Sequence, residues 1–313
     1  MGLSMNRIRL LLAALLFASL TGCESIKEWM HRDRGPKSAE PLPPVQPEQL
    51  LAYINDRAER LQSIEYEQAN ITISAPNMLL SPTLRGWLVA GQPRNFNMVA
   101  EGTMAGKVIL GSNNEQFWVY VSVPREEPTY VYASHSDFAA GNAKLPGGIP
   151  FEPDWVLQAL GMLPLPANNR YTARVDQKSR TYTLSWPATL PNGTPVVKEI
   201  IFEGDPATGT RSQVKKHQIL DAKNKVLCFA EIKQARTVQL PQTDPRTGLP
   251  LAVQYPTRVV LRWEEQKFEM DLALGSAKIN KPFSEEEARR FFTRPNIPNA
   301  TPINLAQYQA PLR

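Results

Sequence analysis

Only two cysteines, Cys23 and Cys228, occur in the 313 residues. A disulfide-stapled scaffold is therefore excluded, and an apolar core has to carry the fold. Histidine is equally scarce: His31, His135 and His217 stand far apart, and none lies at metal-ligand spacing with Cys, Asp or Glu. No metal centre or cofactor is expected from such a set. An excess of charge of one sign is lacking as well. The 35 Lys and Arg are scattered among 30 Asp and Glu for a net charge of +5, so no basic stripe points to nucleic acid, although a mildly basic surface tolerates anionic headgroups. No apolar run approaches the roughly 20 residues needed to cross a bilayer as a helix.

Catalytic patterns are missing too. There is no phosphate-binding glycine loop and no nucleophile elbow. The stretch "ASHSDF" (133–138) sets Ser, His, Ser and Asp side by side. Triads are assembled from distant positions, and adjacent side chains on a strand point to opposite faces, so a polar turn is the expected reading. Acidic clusters at Glu126–Glu127 and Glu285–Glu287 have no distinctive partners; the second opens a short helix behind Ser284, where carboxylates complement the helix dipole. A glycosidase pair of carboxylates is left as the minor alternative to a chain that is not an enzyme.

What is present begins at the N-terminus. Arg7 and Arg9 precede eleven small or apolar residues, Leu10 to Leu20, and Thr21, Gly22 and Cys23 follow. That order is a secretory leader: basic region, short apolar region, small residues at a cut site. The four residues Leu20-Thr21-Gly22-Cys23 resemble the bacterial lipobox, in which the cysteine thiol is alkylated with diacylglycerol, the leader is removed, and the new N-terminus is acylated. A thiol is the side chain nucleophilic enough for that alkylation near neutral pH. The plain alternative is an ordinary leader cut elsewhere, with Cys23 incidental. The resemblance implies a signal peptide over 1–22 and lipid attachment, palmitate among the chains, at Cys23. Loss of Arg7 and Arg9 lowers the charge from +5 to +3. Several chains together make a stable anchor where one alone holds marginally, so the protein is expected to sit on a membrane by its N-terminal lipid. Residue Glu24 is not the aspartate that marks inner-membrane retention in some enterobacteria, which favours the periplasmic face of the outer membrane.

Behind the anchor, "DRGPKSAEPLPPVQP" (33–47) has five prolines. It buries too little to offset its ordering entropy and reads as an extended tether, so residues 23–46 form the lipidated N-terminus and linker. At about 3.1 Å per residue the Pro-rich stretch spans some 45 Å at most. Residues 47–294 form one domain and 295–313 a Pro/Asn-rich tail that lies on the surface or stays disordered. The domain opens with an amphipathic helix over 47–63, its apolar side Leu50, Leu51, Ile54, Ala58 and Leu61, with Asn55, Asp56, Arg57, Glu59 and Arg60 outward. The period then changes to two. Short strands separated by Gly, Pro, Asn or Ser run from 64 to 134, and further ones lie at 170–176, 180–186, 195–203, 210–220 and 225–237. A hairpin with Thr257, Val259, Leu261 and Trp263 on one face and Phe268, Met270, Leu272 and Leu274 on the next strand closes the set. Cys228 reads as a small buried hydrophobe within its strand. In the middle, "LPGGIPFEPDWVLQALGMLPLP" (145–166) predicts a short apolar helix on proline hinges, capped by Asp154 and ended at Gly161, either a cover over an apolar sheet face or a plain core helix.

The segments "LLAYINDRAERLQSIEYEQANITI" (50–72), "GSNNEQFWVYV" (111–121) and "IPFEPDWVLQALGM" (149–162) resemble the LolA/LolB-like lipoprotein-carrier superfamily, the outer-membrane lipoprotein-sorting type. The resemblance implies a mainly β fold, a curled antiparallel half-barrel of about a dozen strands covered by helices, with an apolar cavity for acyl chains. It also implies acylated lipoprotein or lipid cargo and exchange with a soluble periplasmic carrier; the carrier's basic cavity residue has no match in position here. Alternation and the cover argument nominate Trp87, Phe117, Val119, Trp155, Leu160, Val259, Leu261 and Trp263 as cavity or lid residues. Strand "FWVYV" is apolar on both faces, so one face is expected to meet helices and the other a cavity or the curl of the sheet. The competing reading is a structural envelope lipoprotein, a scaffold filled by its own side chains; a monomer is expected in either case. Metabolic labelling with radioactive palmitate tests the anchor: the wild-type chain takes up label and Cys23→Ser does not, whereas a labelled Cys23→Ser would refute the lipobox assignment.

Overall fold

The computed structural model describes residues 41–76, 81–102, 106–143, 153–204, 213–245 and 248–308. The leader, Cys23 and the tether up to residue 40 lie outside the described residues. The compact unit begins at Leu42, five residues ahead of the first helix. Leu42 is 2 % exposed, and its backbone N–H and carbonyl both bond the Gln177 side-chain amide at 2.8 Å. One leucine among the tether's prolines thus pins the end of the linker to the fold.

Helix α1 (Pro47–Arg60) follows, with Pro at its first turn, the Gln49 side chain accepting from the Gln46 N–H at 2.9 Å and the Gln49 N–H donating to the Gln46 carbonyl. Six strands then run as a meander: β1 (Ser63–Ser74), β2 (Thr83–Gly91), β3 (Asn95–Gly102), β4 (Gly106–Ser112), β5 (Gln116–Ser122) and β6 (Thr129–Ser134). Two short helices come next, α2 (His135–Ala139) and α3 (Pro153–Leu160). The second meander is β7 (Thr172–Asp176), β8 (Thr181–Thr189), β9 (Pro195–Glu203), β10 (Gln213–Leu220), β11 (Val226–Thr243), β12 (Pro250–Trp263) and β13 (Phe268–Leu274). The chain ends with β14 (Ala277–Ile279), α4 (Glu285–Phe292) and β15 (Ile303–Asn304).

All the strands belong to one sheet, in the order β15-β6-β5-β4-β3-β2-β1-β13-β12-β11-β10-β9-β8-β7, with β14 also on β1. The two meanders are fused where β1 pairs antiparallel with β13, Ile71 opposite Leu272. Every pairing is antiparallel except that of β15 with β6. Among the described residues the sheet does not close, so the fold is a large curled antiparallel sheet covered by helices, the half-barrel class expected from sequence. Bulges bend it: register shifts lie between Tyr66 and Ala69 in β1 and at three places along the β11–β12 ribbon. Close approach of β2 and β3 requires a glycine, because a Cβ on Gly86 would stand 1.8 Å from the Val99 carbonyl oxygen.

Three local expectations are refined. The polar turn at 133–138 is the helix α2, capped by Ser134 Oγ accepting from the Asp137 N–H. Asp154 sits inside the first turn of α3, one residue after Pro153. The tail does not simply trail along the surface: β15 extends the sheet, Leu305 is buried, and Pro295 accepts a hydrogen bond from the Tyr130 hydroxyl. The helix at 285–292 forms as expected, with a reciprocal Ser284–Glu287 capping box. Gly86→Ala is expected to destabilise the fold by at least about 1–3 kcal/mol, the cost of overpacking. Chemical denaturation measures this, and an unchanged midpoint would refute the close β2–β3 approach.

Candidate hydrophobic site

Alternation along the strands gives the sheet an inner face with two adjoining apolar clusters. Helix α1 covers the one on β8–β10, placing Leu50 and Ile54 against Leu184, Ile200 and Phe202. Helix α3 covers the other, which spans β1–β4 and β11–β13. Trp155, Val156, Leu157, Ala159 and Leu160, together with Met162 behind them, are all buried there. Helix α3 ends in a Schellman motif: Gly161 at φ +81° bonds the Gln158 carbonyl, and the Met162 N–H bonds that of Leu157.

Most of the residues nominated from sequence meet at this place. Trp155 and Leu160 of α3 pack in one cluster with Val259, Leu261 and Trp263 of β12, the two indole rings edge-on at 6.1 Å. Phe117 and Val119 share the inner face but belong to a neighbouring cluster with Val131, Ala133 and Leu305. Trp87 lies on the opposite, outer face, where it packs near Val89 and Phe291 and lines a cleft of about 570 Å³. The hollow beneath α3 is thus filled by the side chains of α3 itself. Strand β5 divides its aromatics as expected: Phe117 points inward, while Trp118 and Tyr120 pack outward with Tyr130, Ile109 and Ile297.

The polar ties of α3 and the turn after it are few. Arg94 Nη2 meets Asp154 Oδ2 at 2.9 Å with both side chains about a third exposed, a pair worth about 0–1 kcal/mol in that setting. Gln92 Nε2 donates to the carbonyls of Ala58, Leu61 and Met162 at 2.6, 3.2 and 2.9 Å. Asn55 and the Leu165 backbone bond each other both ways at 2.8 and 3.1 Å.

Arg57 departs from the sequence expectation. Its charge predicts an outward position on α1, yet it is 6 % exposed. Its Nε donates to the Gln254 carbonyl at 3.0 Å, and its guanidinium lies so close to Gly161 that a Cβ there would come within 2.5 Å. One cation therefore touches α1, the end of α3 and β12. Burial lowers its pKa, and the phenols of Tyr53 and Tyr66 offset that in part. The signal was in the spacing: Leu50, Ile54, Arg57 and Leu61 recur at i, i+4, i+7 and i+11, so Arg57 falls on the apolar stripe. His217 is also buried on the inner face, its Nε2 without a hydrogen-bond partner among the described residues. Burial first, and the Arg57 charge second, lower its pKa to about 3.

The polar cluster at 133–138 does not assemble for catalysis. Ser134 Oγ donates to Asp137 Oδ2 at 2.6 Å, whereas His135 Nε2 turns to the Asn113 carbonyl at 2.8 Å and Ser112 Oγ at 3.2 Å. Among the described residues no group of three His, Cys, Asp or Glu side chains could hold a metal ion.

No family model and no curated protein matches the chain in sequence. In structure it is similar to a crystal structure described as an outer membrane lipoprotein-sorting protein domain from Vibrio parahaemolyticus, at 11 % identity and TM-score 0.43, covering 78 % of this chain and 97 % of that one. It is similar to a LolA superfamily protein from Nitrosomonas europaea at 11 % identity and TM-score 0.43, covering 80 % and 99 %. A DUF1329 family protein from Desulfovibrio piger aligns at 12 % identity and TM-score 0.43, covering 77 % and 94 %.

Because the folded pKa of His217 lies below its ordinary value of 6.5, the unfolded chain takes up a proton in the window from about 6.5 down to about 3 that the folded chain refuses. Stability therefore falls as the pH drops through that window, by up to about 1.4 kcal/mol per unit. Denaturation at pH 7 and pH 4.5 is expected to show a smaller acid loss for His217→Gln than for wild type. Equal losses would refute a neutral buried imidazole.

Proposed function

We propose that the protein is a lipid-anchored, non-enzymatic protein of the bacterial cell envelope that shelters acyl chains of lipoproteins or lipids within its curled sheet. Helix α3 serves as an exchangeable cover. The observation that carries this reading is the nature of that cover: an eight-residue helix, held by apolar packing and a few side-chain ties, is what lies over the apolar inner face of β1–β4 and β12–β13.

The energies are of matching size. Val156, Leu157, Leu160 and Met162 together contribute about 6–12 kcal/mol by burial, at roughly 1.5–3 kcal/mol each. A 16-carbon chain in the same place contributes about 13 kcal/mol at ~0.8 kcal/mol per methylene, before ordering costs. An acyl chain can therefore replace α3 where water cannot, and the site needs shape more than reactive groups. Arg57, which joins α1, α3 and β12, is placed to hold the cover closed when no cargo is present. Cargo would arrive from a soluble periplasmic partner, and the anchor at Cys23 would keep the domain at the outer membrane.

The second reading, a scaffold without cargo, is favoured by the side chains that already fill the hollow. Photocrosslinking from position 155 or 160 in cells separates the two. Capture of acylated protein or lipid by these positions, above the level of surface controls, is the expected result. Capture no different from those controls would exclude the cover role and leave the scaffold.

A further inference from the structure

The outer face holds a cleft that the inner-face reading does not use. Two cross-strand rows form its floor. Glu65 stands opposite Val89 and Val89 opposite Asn97; beside them Trp87 faces Val99 and Val99 faces Ile109. Helix α4 forms one wall through Arg290 and Phe291, continued by Thr293 and Pro295, and the volume is about 570 Å³, within the usual range of ligand sites, roughly 300–1,000 Å³. The rings of Trp87 and Phe291 meet edge-on at 5.5 Å.

Its polar groups are specific. Asn97 is 6 % exposed and its Nδ2 donates to the Phe291 carbonyl at 2.6 Å. That bond fixes the amide orientation, since a carbonyl only accepts, and leaves Oδ1 as a buried acceptor with no partner among the described residues. Glu65 Oε2 is buried as well but is ion-paired with Lys281 Nζ at 3.5 Å. A buried acceptor left unpaired is costly, so Asn97 Oδ1 at this apolar cleft asks for a donor.

We infer that this cleft binds an uncharged single-chain amphiphile, a hydrocarbon chain ended by a hydroxyl or amide N–H that bonds Asn97 Oδ1. A peptide fits poorly. It carries a donor and an acceptor at every residue, and β1–β4 are each paired on both sides, leaving no backbone edge to meet them. A carboxylate or phosphate head would set a further acceptor against Asn97 Oδ1, which calls for a donor, while Arg290, the cation of the lining, already lies over the Phe291 ring at 4.5 Å. A hydrocarbon chain needs nothing from the Trp87–Val99–Ile109 row but contact. This site is separate from the one beneath α3 and does not depend on it.

Calorimetric titration of the full chain carrying Cys23→Ala, which has no acyl groups of its own, tests the assignment with 1-lauroylglycerol, dodecanamide and laurate. At least one donor-headed probe is expected to bind about tenfold or more tighter than laurate; the preferred one tells hydroxyl from amide. Val99→Trp, which fills the cleft, and Trp87→Ala, which strips its floor, are each expected to weaken that binding about tenfold while circular dichroism and crosslinking from position 155 stay unchanged. Laurate binding as tightly as the donor-headed probes, binding unaltered in both folded variants, or no binding of any probe would each overturn the inference. Lost crosslinking at 155 with intact cleft binding would instead count against the inner-face reading alone.

Discussion

A single sheet with apolar residues on both faces has to be covered on both faces, and this requirement organises the molecule. An antiparallel sheet commonly leaves one side to water. Here Leu88 and Met98 point inward while Val89 and Val99 point outward along the same strands. Helices α1 and α3 cover the inner side, and α4 with the segment from Thr293 to Ala300 covers much of the outer side. The strands are hydrogen-bonded by their neighbours, and the covers add apolar packing on either face.

The covers are not equivalent. Helix α1 is built into the chain between the Leu42 anchor and β1, and its apolar stripe continues through Arg57 and Leu61. Helix α3 is shorter and its polar ties are exposed or made by one or two side chains. A buried guanidinium is costly unless well bonded, yet Arg57 is kept where α1, β12 and the turn after α3 meet. That position makes it sensitive to whether α3 is in place. The main apolar cluster thus lies beneath an eight-residue helix, the element to which the proposed exchange is assigned.

Much of this was legible in the sequence. The two-residue period located most strands to within about three residues, because β-branched and aromatic residues alternate with polar ones between Gly, Asn and Pro turns, but the β11–β12 ribbon runs on past residue 237 to Thr243 and back from Pro250. The β12–β13 hairpin, the capped helix behind Ser284 and the apolar helix ended by Gly161 followed from equally local signals. What was not legible is what depends on distant parts of the chain. The pairing of β1 with β13 joins segments some 200 residues apart. The β15 strand is two residues long and forms only because β6 offers it an edge. Trp87 and Trp263 look alike in a one-dimensional pattern, and only the register assigns them to opposite faces. Arg57 is a charged residue at a position of the apolar helix stripe, so residue type and helical position point opposite ways and position prevails.

Amide hydrogen exchange in the ligand-free protein tests the exchangeable cover most directly. If α3 opens locally, the amides of residues 153–160 exchange well before those of β12, and an acyl ligand alters their protection while leaving the strand unchanged. If α3 and β12 instead share the same protection and exchange only through global unfolding, the helix is a fixed part of the core and the account is contradicted.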